Sequence, residues 1–436
     1  MFISPPSRLC LTVLAYCLLT AAACAKHDIR VLSPPAPTVS PQARDVVLVG
    51  NNWAGTVTAL DPAPPFQILG TFDVIPDRAF LQSELERSVS RQTSMALIRR
   101  LAGEGNDQLV DDVFTSPDGR YLYASRPSYR DVVAIDLTYP ANPTPHWRTQ
   151  VEGTRADHAA ISKDGTRLLV SASTAKKVHE IDTATGEIRR SFSSGDEPHE
   201  NNYSNDETLI FHASIGRVFL PTTSTIGDRL KGRRWFQIVD AKTFKVLERY
   251  DMREKTREFG HEWKDSAVRP MAIAPDDKMI FFQMSFLHGF YEFDVERRRI
   301  TRMKVLPGAE KLDALELSEF QLNSANHGIT INGEGTRLCI AGTMNGMAYI
   351  VRRDSFDVTT IDLHDPERPT ISPKPYWATT SADGRNCYIS MSGLDQVAVI
   401  SFDSEKKVGT VGVGRHPQRI RNGRMLVRAL EVSAKQ

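Results

Sequence analysis

The sequence predicts an all-β protein made of one antiparallel unit repeated around a closed ring, and three observations predict it. The first is a tight acidic turn between two apolar runs, at Ser116-Pro117-Asp118-Gly119, Ser162-Lys163-Asp164-Gly165, Ser204-Asn205-Asp206-Glu207, Ala274-Pro275-Asp276-Asp277, Gly333-Glu334-Gly335, Ser381-Ala382-Asp383-Gly384 and Asn422-Gly423. Asp-Gly and Asn-Gly between β-rich runs are the strongest short-range hairpin signals, so all seven marks are read as hairpins. The second is an apolar residue closed by Asp, at Leu60-Asp61, Ile135-Asp136, Ile181-Asp182, Val239-Asp240, Phe293-Asp294 and Phe402-Asp403, with a weaker copy at Arg353-Asp354. The third is that the two sets are out of step: Asp61 has no acidic turn before it, and Asn422-Gly423 has no Asp mark after it. Pairing the last segment with the first satisfies that offset and leaves no sheet edge exposed.

Successive turns lie 46, 42, 70, 58, 49 and 39 residues apart, which suits four-stranded antiparallel blades carrying insertions. The prediction is therefore a seven-bladed β-propeller closed by its N- and C-terminal strands. Motifs such as Thr115-Ser116-Pro117-Asp118-Gly119-Arg120-Tyr121-Leu122-Tyr123 and Val132-Val133-Ala134-Ile135-Asp136 resemble the WD40-like propellers of the YVTN-repeat and quinoprotein-like superfamily, over roughly residues 45 to 430. That superfamily contains enzymes, haem-binding domains and plain binding scaffolds, so the resemblance implies a fold and leaves the function open.

Residues 1–25 read as an export signal: Arg8, an apolar stretch from Leu9 to Leu19, then Thr20-Ala21-Ala22-Ala23-Cys24-Ala25. Two cleavage readings compete. Ala21-Ala22-Ala23 before Cys24 resembles a bacterial lipoprotein box, and Ala23-Cys24-Ala25 satisfies ordinary small-x-small cleavage; the first is preferred. Residues 26–44, with Ser33-Pro34-Pro35-Ala36-Pro37 and Ser40-Pro41, read as an extended tether, and 45–436 as the propeller domain. The expected location is the periplasm or cell surface of a bacterium, with a lipid on Cys24 as the membrane attachment, or a soluble periplasmic or secreted form. Losing residues 1–23 removes only Arg8, leaving 53 basic against 53 acidic residues, so no basic excess exists for bulk nucleic-acid binding. Of the cysteines outside the signal, Cys339 and Cys387 fall in second strands of neighbouring blades, and two buried free thiols are expected there because adjacent blades seldom bring such Cα atoms within bonding reach.

In a propeller blade the inner strand starts at one face of the disc, here the top, and the acidic turns lie on the other. The long segments 75–106, 216–234, 253–267, 305–325 and 364–373 all map to top-face connections, where binding and catalysis concentrate on a rigid scaffold. In the first of these, Leu81, Leu85, Val89, Gln92 and Ala96 follow helical spacing up to Gly103, which predicts a helical cover.

Counting back from each turn to the start of its inner strand gives the pairs expected to ring the central channel: Asp111/Asp112, Asp157/His158, His199/Glu200, Arg269/Pro270, His327/Gly328, Tyr376/Trp377 and Arg415/His416. His158, His199, His327 and His416 are candidate ligands for a divalent metal, copper, iron or zinc, since neutral imidazole suits all three. Asp111, Asp157, Tyr376, Trp377, Arg415 and His288 are candidate ligand-binding residues, with Arg269 and Arg415 suited to an anion or carboxylate. The plainer reading is a water-filled channel whose rim pairs within itself. No haem-attachment motif, phosphate loop, dinucleotide-binding glycine pattern, paired-His zinc helix or nucleophile elbow is present in the sequence.

Two function classes remain. One is a monomeric binding module of the envelope whose top-face pocket takes a small molecule, a metal or an envelope protein. The other is an enzyme of the same pocket, either a metal-dependent oxidoreductase or a lactonase-like hydrolase in which Glu200, Arg269 and His199 position water on an ester. Haem or quinone binding is suggested by members of the resembled superfamily, and nothing in the residues requires it.

Overall fold

The computed structural model describes residues 29–30 and 42–433, so the export signal, Cys24 and most of the tether lie outside the described residues. Seven antiparallel sheets, each of four strands around the ring, follow one another along the chain. The first blade comprises Val113–Thr115, Tyr121–Arg126, Asp131–Asp136 and Thr144–Gln150, and it gains a fifth, outermost strand because Ile29–Arg30 pairs with Arg148 and Trp147. The inner strands of the next five blades are Ala156–Ile161, Pro198–Tyr203, Val268–Ile273, Ile329–Ile331 and Pro375–Thr380.

The closing blade is composite. Pro417–Leu426 is its inner strand and pairs antiparallel with Ala43–Asn51, which continues into Thr56–Leu60 and Ile68–Asp73. The offset between the two sequence marks thus corresponds to a ring locked by strands from both ends of the domain. It also corrects one reading: Asn422-Gly423 is not a hairpin but the middle of the ten-residue strand Pro417–Leu426. Gly423 is there for close approach, because a Cβ would come within 2.7 Å of Leu48 Cδ1 and of Thr115 Oγ1.

The true acidic turns owe their recurrence to a hydrogen-bonded cage. Ser116 Oγ donates to Asp118 Oδ1 at 2.5 Å, Asp118 accepts from the Arg120 N–H at 3.0 Å, and Ser116 Oγ accepts from the Tyr121 N–H at 2.9 Å. Ser162/Asp164, Ser204/Asp206 and Ser381/Asp383 repeat it. Gly119, Gly165, Gly335 and Gly384 then sit at φ of +71° to +75°, a conformation glycine adopts without cost. The Asp marks cap the connections from third to fourth strands, on the same face as the acidic turns: Asp136, Asp182 and Asp240 accept backbone N–H groups of Thr138, Ala184 and Thr243.

The core lies between blades. Separate apolar clusters fill each of the seven junctions, for example Phe211, Phe236, Met271 and Phe293 between the third and fourth blades. The junction of the fifth and sixth blades contains Cys339 and Cys387, joined as a disulfide with Cα atoms 6.5 Å apart. This corrects the expectation of free thiols: both side chains point into one shared junction, and the close packing of the two sheets brings their Cα atoms within bridging distance.

The lengthened segments do lie at top-face connections, between blades or between second and third strands. The cover over 75–106 is two helices rather than one: α1 (Arg78–Glu86) and α2 (Val89–Leu101). Ser88 breaks the run, its side chain accepting the Arg91 N–H as the N-cap of α2. Among the described residues, no helix is long and apolar enough to cross a membrane.

Candidate functional site

All seven expected pairs occupy the top ends of inner strands or the turns leading into them, but the seventh, Arg415/His416, is three residues out of register with the others. With Asn422-Gly423 inside a strand, the residues equivalent to Tyr376/Trp377 and His199/Glu200 are Gln418/Arg419, each pair following a proline: Pro375, Pro198 and Pro417. Arg415 is exposed and its guanidinium lies 6.0 Å from the Trp53 ring centroid. His416 stacks on Trp53 with ring centroids 3.7 Å apart, and its Nε2 lies 3.7 Å from Glu104. Neither lines the central cavity, so the structure replaces that pair with Arg419, which sequence reasoning missed. His288 is also elsewhere, bonded to the Pro307 carbonyl and the Tyr349 hydroxyl.

The cavity floor brings together Asp111, His158, His199, Arg269, His327, Tyr376 and Arg419. The three imidazoles cluster, His158 and His199 with centroids 3.6 Å apart, and His327 at 5.9 Å from His199 and 6.3 Å from His158. His327 stacks on Tyr376 at 4.0 Å. His158 Nδ1 meets Glu200 Oε2 at 2.8 Å, which fits an Nδ1–H donor and leaves Nε2 to accept from the Arg419 guanidinium. Asn202 donates to the other Glu200 oxygen at 2.9 Å. Asp157 accepts from Ser173 and pairs with Arg155 at 3.2 Å.

Below the floor lies a second ion pair. Arg421 forms a two-pronged pair with Asp112, at 2.8 and 2.7 Å, between the rings of Phe114 and Trp377. Above it, Leu97, Ile98 and Leu101 of α2, together with Val218, Phe219 and Leu322, form an apolar roof. The enclosed room is small, about 50 Å³ for the centres of water-sized molecules. At roughly 10–15 Å³ for each water so counted, that is space for a few waters or one small molecule.

Burial dominates the electrostatics. It lowers His158, His199 and His327 well below the ordinary histidine value, reinforced by Arg419 beside His158 and His327 and by Arg269 beside His199, so all three are neutral at pH 7. Burial raises the carboxyls of Asp111 and Glu200 to about 7, against the opposing pull of Arg419 on the first and Arg421 on the second.

Arg269 is the exception to local pairing. Its Nη2 donates to the Leu322 carbonyl at 3.0 Å, Nε and Nη1 are buried with no acceptor, and no carboxylate among the described residues forms an ion pair with it. Burial pushes this guanidinium down to about 10. Arg419, by contrast, pairs with Asp111 at 3.5 Å, although its Nε and Nη1 also lack acceptors. His199 Nδ1 is buried without a partner as well.

Metal-ligand chemistry is present in two overlapping groups, His158/His199/Glu200 and Asp111/Asp157/His158, each with ligand atoms within 4.8 Å of one another. Of the expected catalytic set, Arg269 and His199 both line the cavity, while Glu200 lies behind His158 and is engaged by it and by Asn202.

No family model and no curated protein matches the chain. Among solved structures it is similar to Kuenenia stuttgartiensis hydrazine synthase, with a TM-score of 0.52 and 15% identity over 70% of this chain and 86% of that one. At that identity the likeness shows the propeller fold alone.

Proposed function

We propose that the protein is an exported, envelope-tethered propeller that binds a small anionic molecule in the top-face cavity. The observation that carries this reading is Arg269, a fully buried guanidinium with two unmatched N–H groups and no carboxylate partner. A buried, unpaired charge is costly, and an anion that accepts from Nε or from Nη1 supplies a missing partner. Arg419 adds unmatched donors on the same floor, and neutral His199 offers one further donor or acceptor. The YVTN-type repeat resemblance and the signal-like N-terminus support an exported scaffold, and the disulfide suits an oxidising compartment. The experiment is calorimetric titration of the mature protein with acetate, nitrate, sulfate and phosphate, beside Arg269→Gln. Binding that is lost in the variant supports the reading; equal binding by both proteins, or by neither, rejects it.

A metal-centre reading is favoured by one separate observation, the His158/His199/Glu200 group with its carboxylate-oriented imidazole. It requires Arg419 to leave His158 Nε2. Elemental analysis of the wild type beside the His158, His199 and His327 triple alanine variant decides it: about one equivalent of copper, iron or zinc lost in the variant sustains a metal centre, and its absence from both proteins removes it.

A further inference from the structure

We infer that the anion is a short aliphatic monocarboxylate, its head on Arg269 and its chain beneath α2, an inference that rests on the anion-site reading above. The cavity is two-sided. Its floor carries the charged and imidazole groups, and its roof presents Leu97, Ile98, Leu101, Val218, Phe219 and Leu322. A phosphate or sulfate on Arg269 could also use the spare donors of Arg419 and His199, but any oxygen turned toward the Leu, Ile, Val and Phe side chains of the roof meets no donor, and unmatched polar atoms there are costly. A monocarboxylate has one polar end and one apolar end, so it satisfies both sides at once.

Charge argues the same way. Arg155 is paired with Asp157 and Arg419 with Asp111, which leaves Arg269 as the cavity arginine without a carboxylate partner. Glu197, a further acid of the lining, is pushed up to about 7 by burial and lies in the field of Arg155, so Arg269 keeps its spare N–H groups, and a planar carboxylate can accept two parallel N–H bonds along one edge, from Nη2 with either Nε or Nη1. Size sets the length. Room for the centres of water-sized molecules of about 50 Å³, at roughly 10–15 Å³ each, corresponds to a ligand of roughly three to five heavy atoms, of acetate to propionate class.

Access runs past the cover. Glu104, just beyond α2, pairs with Lys374 Nζ at 2.6 Å and accepts from Gln321, residues of the connections leading into the sixth and fifth blades. The α2 roof is thereby fastened to the opposite side of the mouth. A ligand seated under α2 is held by the same contacts.

The test is calorimetric titration of the mature protein with the straight-chain series from acetate to octanoate, with inorganic phosphate as the oxyanion probe. Affinity is expected to rise about three- to fourfold per methylene, the value for burying a CH₂ group, up to about three carbons and then to fall. Leu101→Ala, at a half-buried roof position whose truncation spares the blades, is expected to keep acetate binding and lose most of that increment. Acetate binding with no gain on lengthening to propionate, or phosphate binding tighter than propionate, overturns the monocarboxylate inference and leaves the anion site standing. Failure of every anion to bind the wild type overturns both.

Discussion

Replacing Arg269 with methionine should make the ligand-free protein more stable while removing its anion binding. The guanidinium is fully buried, and its descent from the ordinary 12.5 to about 10 corresponds to about 3 kcal/mol of unfavourable charge burial. Methionine keeps much of the length of the side chain and carries no charge, so that cost disappears. The variant also loses the bond from Nη2 to the Leu322 carbonyl, worth about 1 kcal/mol, so the net gain is about 2 kcal/mol. For a domain of about 390 described residues, at roughly 2.1 cal/mol/K per residue, this raises the melting temperature by about 2–3 °C. Scanning calorimetry of both proteins in an anion-poor buffer reads the shift, and titration with a short carboxylate reads the loss of binding. A variant that melts lower than the wild type and still binds would show that Arg269 is a structural residue satisfied within the fold, and the functional argument would fall with it.

Other outcomes follow from the same geometry. Changing Cys339 and Cys387 together to alanine should cost about 2–4 kcal/mol in urea unfolding, and the wild type under reducing conditions should lose a similar amount, because the bridge closes a 48-residue separation across a blade junction. Glu200 has a folded value of about 7, above its ordinary 4.5, so its contribution to stability is complete below about pH 4.5 and is lost as pH rises through 7. Glu200→Gln should therefore gain stability relative to the wild type between pH 5 and 8, read by denaturant titration at both pH values; a constant difference would contradict the assignment. Glu104→Ala should speed amide exchange across residues 89–106 while changing global stability by less than about 1 kcal/mol, since the Lys374 pair is partly exposed.

The fold was legible because turn chemistry repeats even where the blades' own sequences do not. The Ser and Asp of the hairpin cage are dictated by local hydrogen bonding, so Ser116/Asp118 and Ser381/Asp383 look alike although their blades share little else. Ring closure was legible from the missing turn ahead of Asp61. What failed was local reasoning applied to a non-local strand. Asn422-Gly423 has the residues of a hairpin, but the strand paired with Pro417–Leu426 is Ala43–Asn51 from the far end of the domain. Counting back from that false turn placed Arg415 and His416 in the cavity and left out Arg419. Pro417, matching Pro198 and Pro375 at the start of inner strands, was the signal that would have restored the register. The disulfide was missed for a related reason: the distance between second strands of adjacent blades depends on how two sheets pack, which no spacing within one blade encodes. Unmatched donors such as those of Arg269 are likewise properties of assembled surroundings and leave no mark in sequence.

The strand that locks the ring also delivers part of the floor. Arg419 and Arg421 both sit on Pro417–Leu426, one bonded to His158 and the other to Asp112 of the first blade. Circular closure and assembly of the binding chamber are therefore a single event. A chain with six blades formed and this segment undocked would retain most of its sheet content, yet its central arginine would be missing. Ligand occupancy thus reports whether the circle is complete, and a molecule held by that floor would draw the two ends of the domain together from inside.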